Sequence, residues 1–138
     1  PLYSSAASDV YKRQVTYKKV TYKITSVYTK SLRKNTKVSQ ISIGNNVTAI
    51  GTSAFEGCTA LKSVTIGTGV TSIGKDAFRG CKKASAITIR STKLKAVGAN
   101  AFRGIYAKAK IRVPSSKLKA YQKLLKNKGQ GSKVKISR

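Results

Sequence analysis

The chain is poor in side chains that could move protons and rich in side chains that could hold an anion. Lysine and arginine number 29 against three acids, there is no histidine, and the net charge is +26. General acid–base catalysis relies mostly on His, Asp and Glu. Only Asp9, Glu56 and Asp76 supply such groups, and nothing in the pattern assembles Lys, Tyr or Cys in their place. A hard divalent cation wants several carboxylates around it, so neither a metal nor another cofactor is expected, and the residues argue against an enzyme. The cationic excess would attract any polyanion, whether nucleic acid, anionic lipid, wall polymer or acidic glycan, and salt would weaken that attraction. A lysine-rich surface can equally serve only to solubilise.

Two cysteines, Cys58 and Cys81, stand one repeat period apart, in the same slot of successive repeats. They can be two buried thiols stacked as small apolar groups. A disulfide between neighbouring coils is conceivable, since adjacent strands lie about 4.8 Å apart, although side chains in a ladder run parallel and need not meet disulfide geometry. A zinc site would need more ligands than these two.

The elements that must position these groups are set by repetition. Residues 41–63, ISIGNNVTAIGTSAFEGCTALKS, return as residues 64–86, VTIGTGVTSIGKDAFRGCKKASA. Ile41, Ile43, Val47, Ile50, Gly51, Ala54, Phe55, Gly57 and Cys58 become Val64, Ile66, Val70, Ile73, Gly74, Ala77, Phe78, Gly80 and Cys81. A fixed period of this length means stacked structural repeats that bury a core coil by coil. The alternating pairs Ile41/Ile43, Val64/Ile66 and Ile87/Ile89 predict strands with one face inward, stacked as a parallel sheet. The pairs Val47/Ile50, Val70/Ile73 and Leu94/Val97 predict a second inward segment, extended or bent. Gly44 and Gly67 after the strand, and Gly51, Gly74 and Gly98 further on, are expected to permit turns. Ala-Phe-x-Gly is expected to form a tight helical turn whose Phe plugs the core. All three phenylalanines, Phe55, Phe78 and Phe102, occupy that slot, which predicts a buried Phe column.

The flanking coils drift. Residues 15–40 read as a degenerate first coil, with a strand or hairpin signal in VTYKKVTYK and with Ile24, Val27 and Leu32 at the positions of Val47, Ile50 and Phe55. Asn35 replaces the cysteine. Residues 87–110 form a drifting coil with one extra residue between Arg90 and Lys93 and with Ile105 in the cysteine slot. Residues 111–137 form a capping coil: Pro114 ends the strand, Ser115 and Ser116 suit helix N-caps, and Leu118, Tyr121, Leu124 and Leu125 make one apolar helix face. Gly129 and Gly131 are stop signals, and Val134 and Ile136 predict a last strand 23 residues after Ile111 and Val113. Residues 1–14 lack the repeat register and resemble the translation of a sequencing-library adapter. On that reading the native chain starts near Val15; the other reading is a polar linker. No run of about 18 apolar residues offers a membrane span, and no export signal is visible in this piece. Asn46-Val47-Thr48 has the form of a glycosylation sequon and reads as a turn.

The pattern I-x-I-G-x-x-V-x-x-I-G-x-x-A-F-x-G-C-x-x-L, carried by residues 41–61, resembles the BspA-like, or Treponema-type, class of leucine-rich repeat. AFEGC and AFRGC supply its turn motif. The likeness covers about residues 24 to 113, and the tail from Ile111 resembles the closing segment of such arrays. The resemblance implies a right-handed leucine-rich-repeat solenoid in a secreted or surface-attached bacterial protein, and adhesion to host matrix, other bacteria or polymers as its class of work.

Alternation places Ser42, Thr65, Thr88, Arg112 and Lys135 on the outer side of the strand ladder, flanked by Gln40, Ser63, Ala86, Lys110 and Lys133. Solenoids bind through such extended faces, so this ladder is the candidate ligand site; the bland alternative is an ordinary polar sheet face. A second candidate, for polyanions, is the lysine set of the capping helix: Lys117, Lys119, Lys123, Lys126 and Lys128. The expected function is a non-catalytic surface module binding proteins or anionic polymers such as glycans or wall polymers. The alternatives are a charge-driven nucleic-acid binder and a structural spacer. The missing aromatic platform argues against stacking on single-stranded bases, and Arg, the commoner base reader, is represented near the helix only by Arg112.

Overall fold

The computed structural model describes residues 15–17, 20–21 and 30–138. The 1–14 leader and the expected positions Ile24 and Val27 lie outside the described residues. Each coil contributes three walls. The first is a strand: β3 (Gln40–Ile43), β5 (Ser63–Ile66), β7 (Ala86–Ile89), β9 (Lys110–Arg112) and β10 (Lys135–Ser137) stack side by side as a parallel ladder. The second is a two-residue strand: β4 (Ala49–Ile50), β6 (Ser72–Ile73) and β8 (Ala96–Val97) form a smaller parallel sheet. The third wall is made of turns.

The β-branched pairs do what their alternation predicts. Ile41, Ile43, Val64, Ile66, Ile87, Ile89 and Ile111 are buried, and the residues between them face outward. Register is strict, with Ile41 opposite Val64 and Val64 opposite Ile87. The one-residue insertion after β7 leaves the pairing intact, with Ile87 opposite Ile111. The Phe column is also present: Phe55, Phe78 and Phe102 are fully buried, with ring centroids 5.3 and 5.6 Å apart and near-parallel planes. Offset-stacked rings at such spacings add about 0.5–1.5 kcal/mol per pair beyond area burial.

The turn wall is not the tight helical turn expected of Ala-Phe-x-Gly: it is a run of hydrogen-bonded turns whose amides alternate between their own coil and the next. In the second coil Ala54, Glu56 and Cys58 donate to the carbonyls of Gly51, Ser53 and Phe55, closing three overlapping turns. The alternate amides, of Ser53, Phe55 and Gly57, point to the next coil and bond Lys75, Ala77 and Arg79 at 2.7–2.9 Å. Left-handed backbone at Ser53 (φ 54) and Gly57 (φ 75) makes that alternation possible. The equivalents of Ser53 are Asp76 and Asn100, also at positive φ; short polar side chains tolerate that conformation best after glycine.

Gly74 and Gly98, in the column that Gly51 begins, have a further reason beyond the one their turn position suggested. A Cβ on Gly74 would lie 2.6 Å from the Thr52 nitrogen and 2.7 Å from the Gly51 carbonyl carbon. Glycine is required there because stacked backbones touch.

Both ends of the array depart from expectation. At the N-terminal end, β1 (Val15–Tyr17) and β2 (Val20–Thr21) form an antiparallel hairpin, as two strands joined by a short link must. β1 then runs antiparallel to β3, with Val15 opposite Ile41. The first coil is therefore half kept. Its turn wall retains the stacking, with Lys30, Leu32 and Lys34 amides bonded to Thr52, Ala54 and Glu56, while its strand wall reverses direction. Asn35, in the cysteine slot, uses its side-chain oxygen to accept from the amides of Lys37 and Val38.

At the other end, α1 (Leu118–Leu124) follows a short 3₁₀ turn, Ser115–Lys117. Ser115 and Ser116 are not N-caps: they lie inside that turn, which Pro114 starts by accepting from the Lys117 amide at 2.9 Å. Tyr121 and Leu125 are buried, and Leu118 and Leu124 are half-buried against the core. The Phe102 amide bonds the Lys128 carbonyl, so the stretch after the helix supplies a further rung of the turn wall. The last strand is displaced by two residues from its expected register: Ile136, not Val134, sits opposite Ile111. The extra chain length is taken up by the helix and its exit. A slip of two keeps the same residues inward, since side chains alternate with period two.

The helix is clasped to the insertion. The Tyr121 hydroxyl donates to the Ser91 carbonyl at 2.8 Å and accepts from the Leu94 amide at 3.0 Å. The Ser91 hydroxyl donates to the Val70 carbonyl at 2.6 Å. An additional residue in one coil is thus tied off by the cap and by the coil below it.

Candidate binding face

The outer side of the ladder carries Ser42, Thr65 and Thr88 in one register row, each half-buried between its neighbours. Arg112 continues that row opposite Thr88 and is exposed. Lys135 does not continue it. The two-residue displacement of β10 puts Ser137 opposite Arg112 and moves Lys135 opposite Lys110. The flanking row is then Gln40, Ser63, Ala86, Lys110 and Lys135. The face is neutral and hydroxyl-bearing across β3, β5 and β7 and cationic across β9 and β10.

Among the described residues, three shallow clefts lie along this wall. One, of about 450 Å³, is lined by Lys108, Lys110, Ser132, Lys133 and Lys135. A second, of about 190 Å³, is lined by Ser42, Thr65, Asn45, Arg90 and the backbone at Gly44 and Gly67. A third, of about 300 Å³, lies between Thr88, Arg90, Arg112 and Pro114. Arg90 borders the last two and was not among the residues singled out from sequence. Its signal was legible, however: it occupies the place of Gly44 and Gly67, directly after the strand. A side chain on Gly67 would fall 2.6 Å from the Gly44 carbonyl oxygen. Position 90 instead carries an exposed arginine, and the one-residue insertion follows it.

Of the capping-helix lysines, Lys119, Lys123 and Lys126 are exposed, while Lys117 and Lys128 are half-buried. None of the five lines the three clefts. The structure does not join this set to the strand row.

The acids sit elsewhere. Glu56 belongs to the turn wall and pairs with Arg33 at 3.1 Å. Hydrogen bonding from Ser53 and then from Arg33 holds its carboxyl below the ordinary range. Asp76 is 3.8 Å from Arg79 on the same wall. Among the described residues no acid borders any of the three clefts, and no group of three or more His, Cys, Asp or Glu comes together. Cys58 and Cys81 are free, buried thiols. They donate to the Leu32 and Phe55 carbonyls, each at 3.1 Å, which are the Phe-slot carbonyls of the preceding coil. The neighbouring Cys58 thiol, followed by burial, pushes the Cys81 thiol well above its ordinary range. The sequon asparagine, Asn46, is exposed in a turn.

Residues 11–137 match a family model described as a BspA-type leucine-rich repeat region, with six copies. The chain belongs to the BspA-type leucine-rich-repeat family. The matched span includes the last four residues of the 1–14 leader and runs through the helical cap to β10. No curated protein and no solved structure matches the chain significantly. Among the described residues no helix is long and apolar enough to cross a membrane.

Proposed function

We propose that this BspA-type repeat array is a non-catalytic binding and adhesion module of a bacterial cell surface, recognising proteins or anionic polymers through the outer face of its parallel ladder. Leucine-rich repeats of this type are generally non-catalytic, serve protein interaction and are typically carried by surface proteins, which supports the reading. The observation that carries it is the division of the ladder: from β3 to β9 every inward position is core, and the outward row of Ser42, Thr65, Thr88 and Arg112 is polar, in register and lined by clefts. A stacked array presents such a row as one continuous surface, the usual binding surface of solenoids.

The test is surface plasmon resonance of the full chain against matrix proteins, wall polymer, acidic glycan and duplex DNA at physiological salt. Binding to at least one of the first three is expected, with Thr65→Glu weakening it about tenfold or more while leaving the melting temperature within a few degrees. A bound partner indifferent to Thr65→Glu removes the sheet face from the reading. Silence against every partner leaves a spacer.

A further inference from the structure

We infer that the C-terminal end of the ladder is a dedicated site for an anionic polysaccharide, held by Lys108, Lys110, Lys133 and Lys135 and continued by Arg112 and Arg90; this rests on the surface-binding reading above. The displaced register of β10 is what assembles it. Had Ile136 stacked on Val113, Lys135 would stand beside Arg112. Instead Lys135 pairs with Lys110, with Lys108 and Lys133 in the turns that lead into the two strands. The four lysines line one cleft of about 450 Å³, with Ser132 at its side.

Neighbouring strands lie about 4.8 Å apart, and alternate residues along one strand about 6.7 Å. Lys110 and Lys135, opposite each other on paired strands, therefore rise from backbone positions about 5 Å apart, inside the screening length of about 8 Å in physiological salt. Like charges held so closely repel, and among the described residues none of the four forms an ion pair with an acid. A multivalent anion that brings several charges at once relieves that repulsion.

The rest of the face selects the class of anion. From the cationic end, the row Thr88, Thr65, Ser42 offers one hydroxyl per strand, a spacing comparable with the rise of one sugar along an extended chain. Arg90 and Arg112 flank that row, and their planar forks suit a carboxylate or sulfate. The cleft residues include no aromatic ring on which a base could stack. A polymer of hydroxyls and spaced charges fits this face better than a nucleic acid does.

The experiment is titration calorimetry of the full chain with heparin oligosaccharide, hyaluronan, neutral dextran and duplex DNA, repeated across salt. The variants are a quadruple change, Lys108→Gln, Lys110→Gln, Lys133→Gln and Lys135→Gln, and a matched change of Lys117, Lys119, Lys123 and Lys126 to Gln. Four exposed charge contacts together correspond to a loss of roughly ten- to a hundredfold in affinity. That loss is expected for the ladder variant, whereas the helix variant stays within about threefold of the parent. Heparin binding alone assigns the charge to sulfate; equal binding of hyaluronan assigns it to carboxylate as well. Amine-reactive footprinting on the unaltered chain provides a second measurement that needs no variant: the four ladder lysines should be protected by the glycan, and the helix lysines should not. The inference is overturned if duplex DNA binds as tightly as heparin at every salt concentration, if the helix variant loses as much as the ladder variant, or if no acidic glycan binds. In the first two cases the surface-binding reading survives; only silence against matrix proteins and wall polymer as well would remove it.

Discussion

Removing one oxygen atom, in Tyr121→Phe, tests how the cap holds the array. Among the described residues the Tyr121 hydroxyl is the partner of the Leu94 amide, at 3.0 Å, and it also reaches the Ser91 carbonyl at 2.8 Å. Tyr121 is 3 % exposed, Leu94 6 % and Ser91 fully buried, so water cannot replace the lost partner. The ring remains, and no cavity forms. An ordinary hydrogen bond contributes about 0.5–1.5 kcal/mol net, and an orphaned buried polar group costs about 1–3 kcal/mol. With two backbone groups affected, a loss of about 2–4 kcal/mol is expected. Unfolding entropy of about 2.1 cal/mol/K per residue, over roughly 110 residues, converts that into a fall in Tm of about 9–17 °C. Scanning calorimetry reads it, with amide exchange at Leu94 as a local probe. Tyr106→Phe, at an exposed tyrosine, should stay within about 0.5 kcal/mol. A loss below about 0.5 kcal/mol for Tyr121→Phe, or an unaltered Leu94 amide, would refute the clasp. The same hydroxyl carries a pH signature. Burial raises its folded pKa above the ordinary value of 10.0, so the folded state keeps the proton longer than the unfolded chain. Its stabilisation is complete below pH 10 and is lost as pH rises toward the folded value. Tyr121→Phe should flatten that alkaline slope.

Two further predictions concern the core. Phe78 is fully buried and stacked on both Phe55 and Phe102, so Phe78→Ala should lose about 3–5 kcal/mol in denaturant unfolding, a large share of a typical total of about 5–15 kcal/mol. An unchanged unfolding midpoint would sink the Phe column as a stabilising feature. Cys58 and Cys81 are buried and hydrogen-bonded as thiols, and the thiolate is the reactive form. Neither should react with a thiol reagent in the native state, and both should react once the chain is unfolded; rapid native labelling would contradict their burial.

Much of this was legible in the letters because a repeat announces itself. Ile41/Ile43 and Val64/Ile66 show their burial through alternation, and the Phe slot shows its depth by holding all three phenylalanines. Within the candidate face, the neutral row from Ser42 to Thr88 followed from the same alternation. The cleft-lining residue that was passed over, Arg90, stood in a glycine slot, where a change of letter is a signal of its own. The reason for the Gly74 column was also hidden: turn position explains a glycine locally, whereas the actual constraint is a neighbouring coil's backbone 2.6 Å from its missing Cβ.

What the amino-acid sequence determined by itself is the period, the inward set of residues and the family, since these depend on local alternation repeated at a fixed interval. What only the tertiary structure decided is how the array ends. A two-residue displacement of β10 is invisible to alternation, because residues two apart share a face, yet it moves Lys135 from Arg112 to Lys110 and assembles the lysine cleft. The direction of β1 and the bond from Tyr121 to the insertion are likewise contacts between segments distant in the chain, at separations of about one coil or more, which no local pattern encodes.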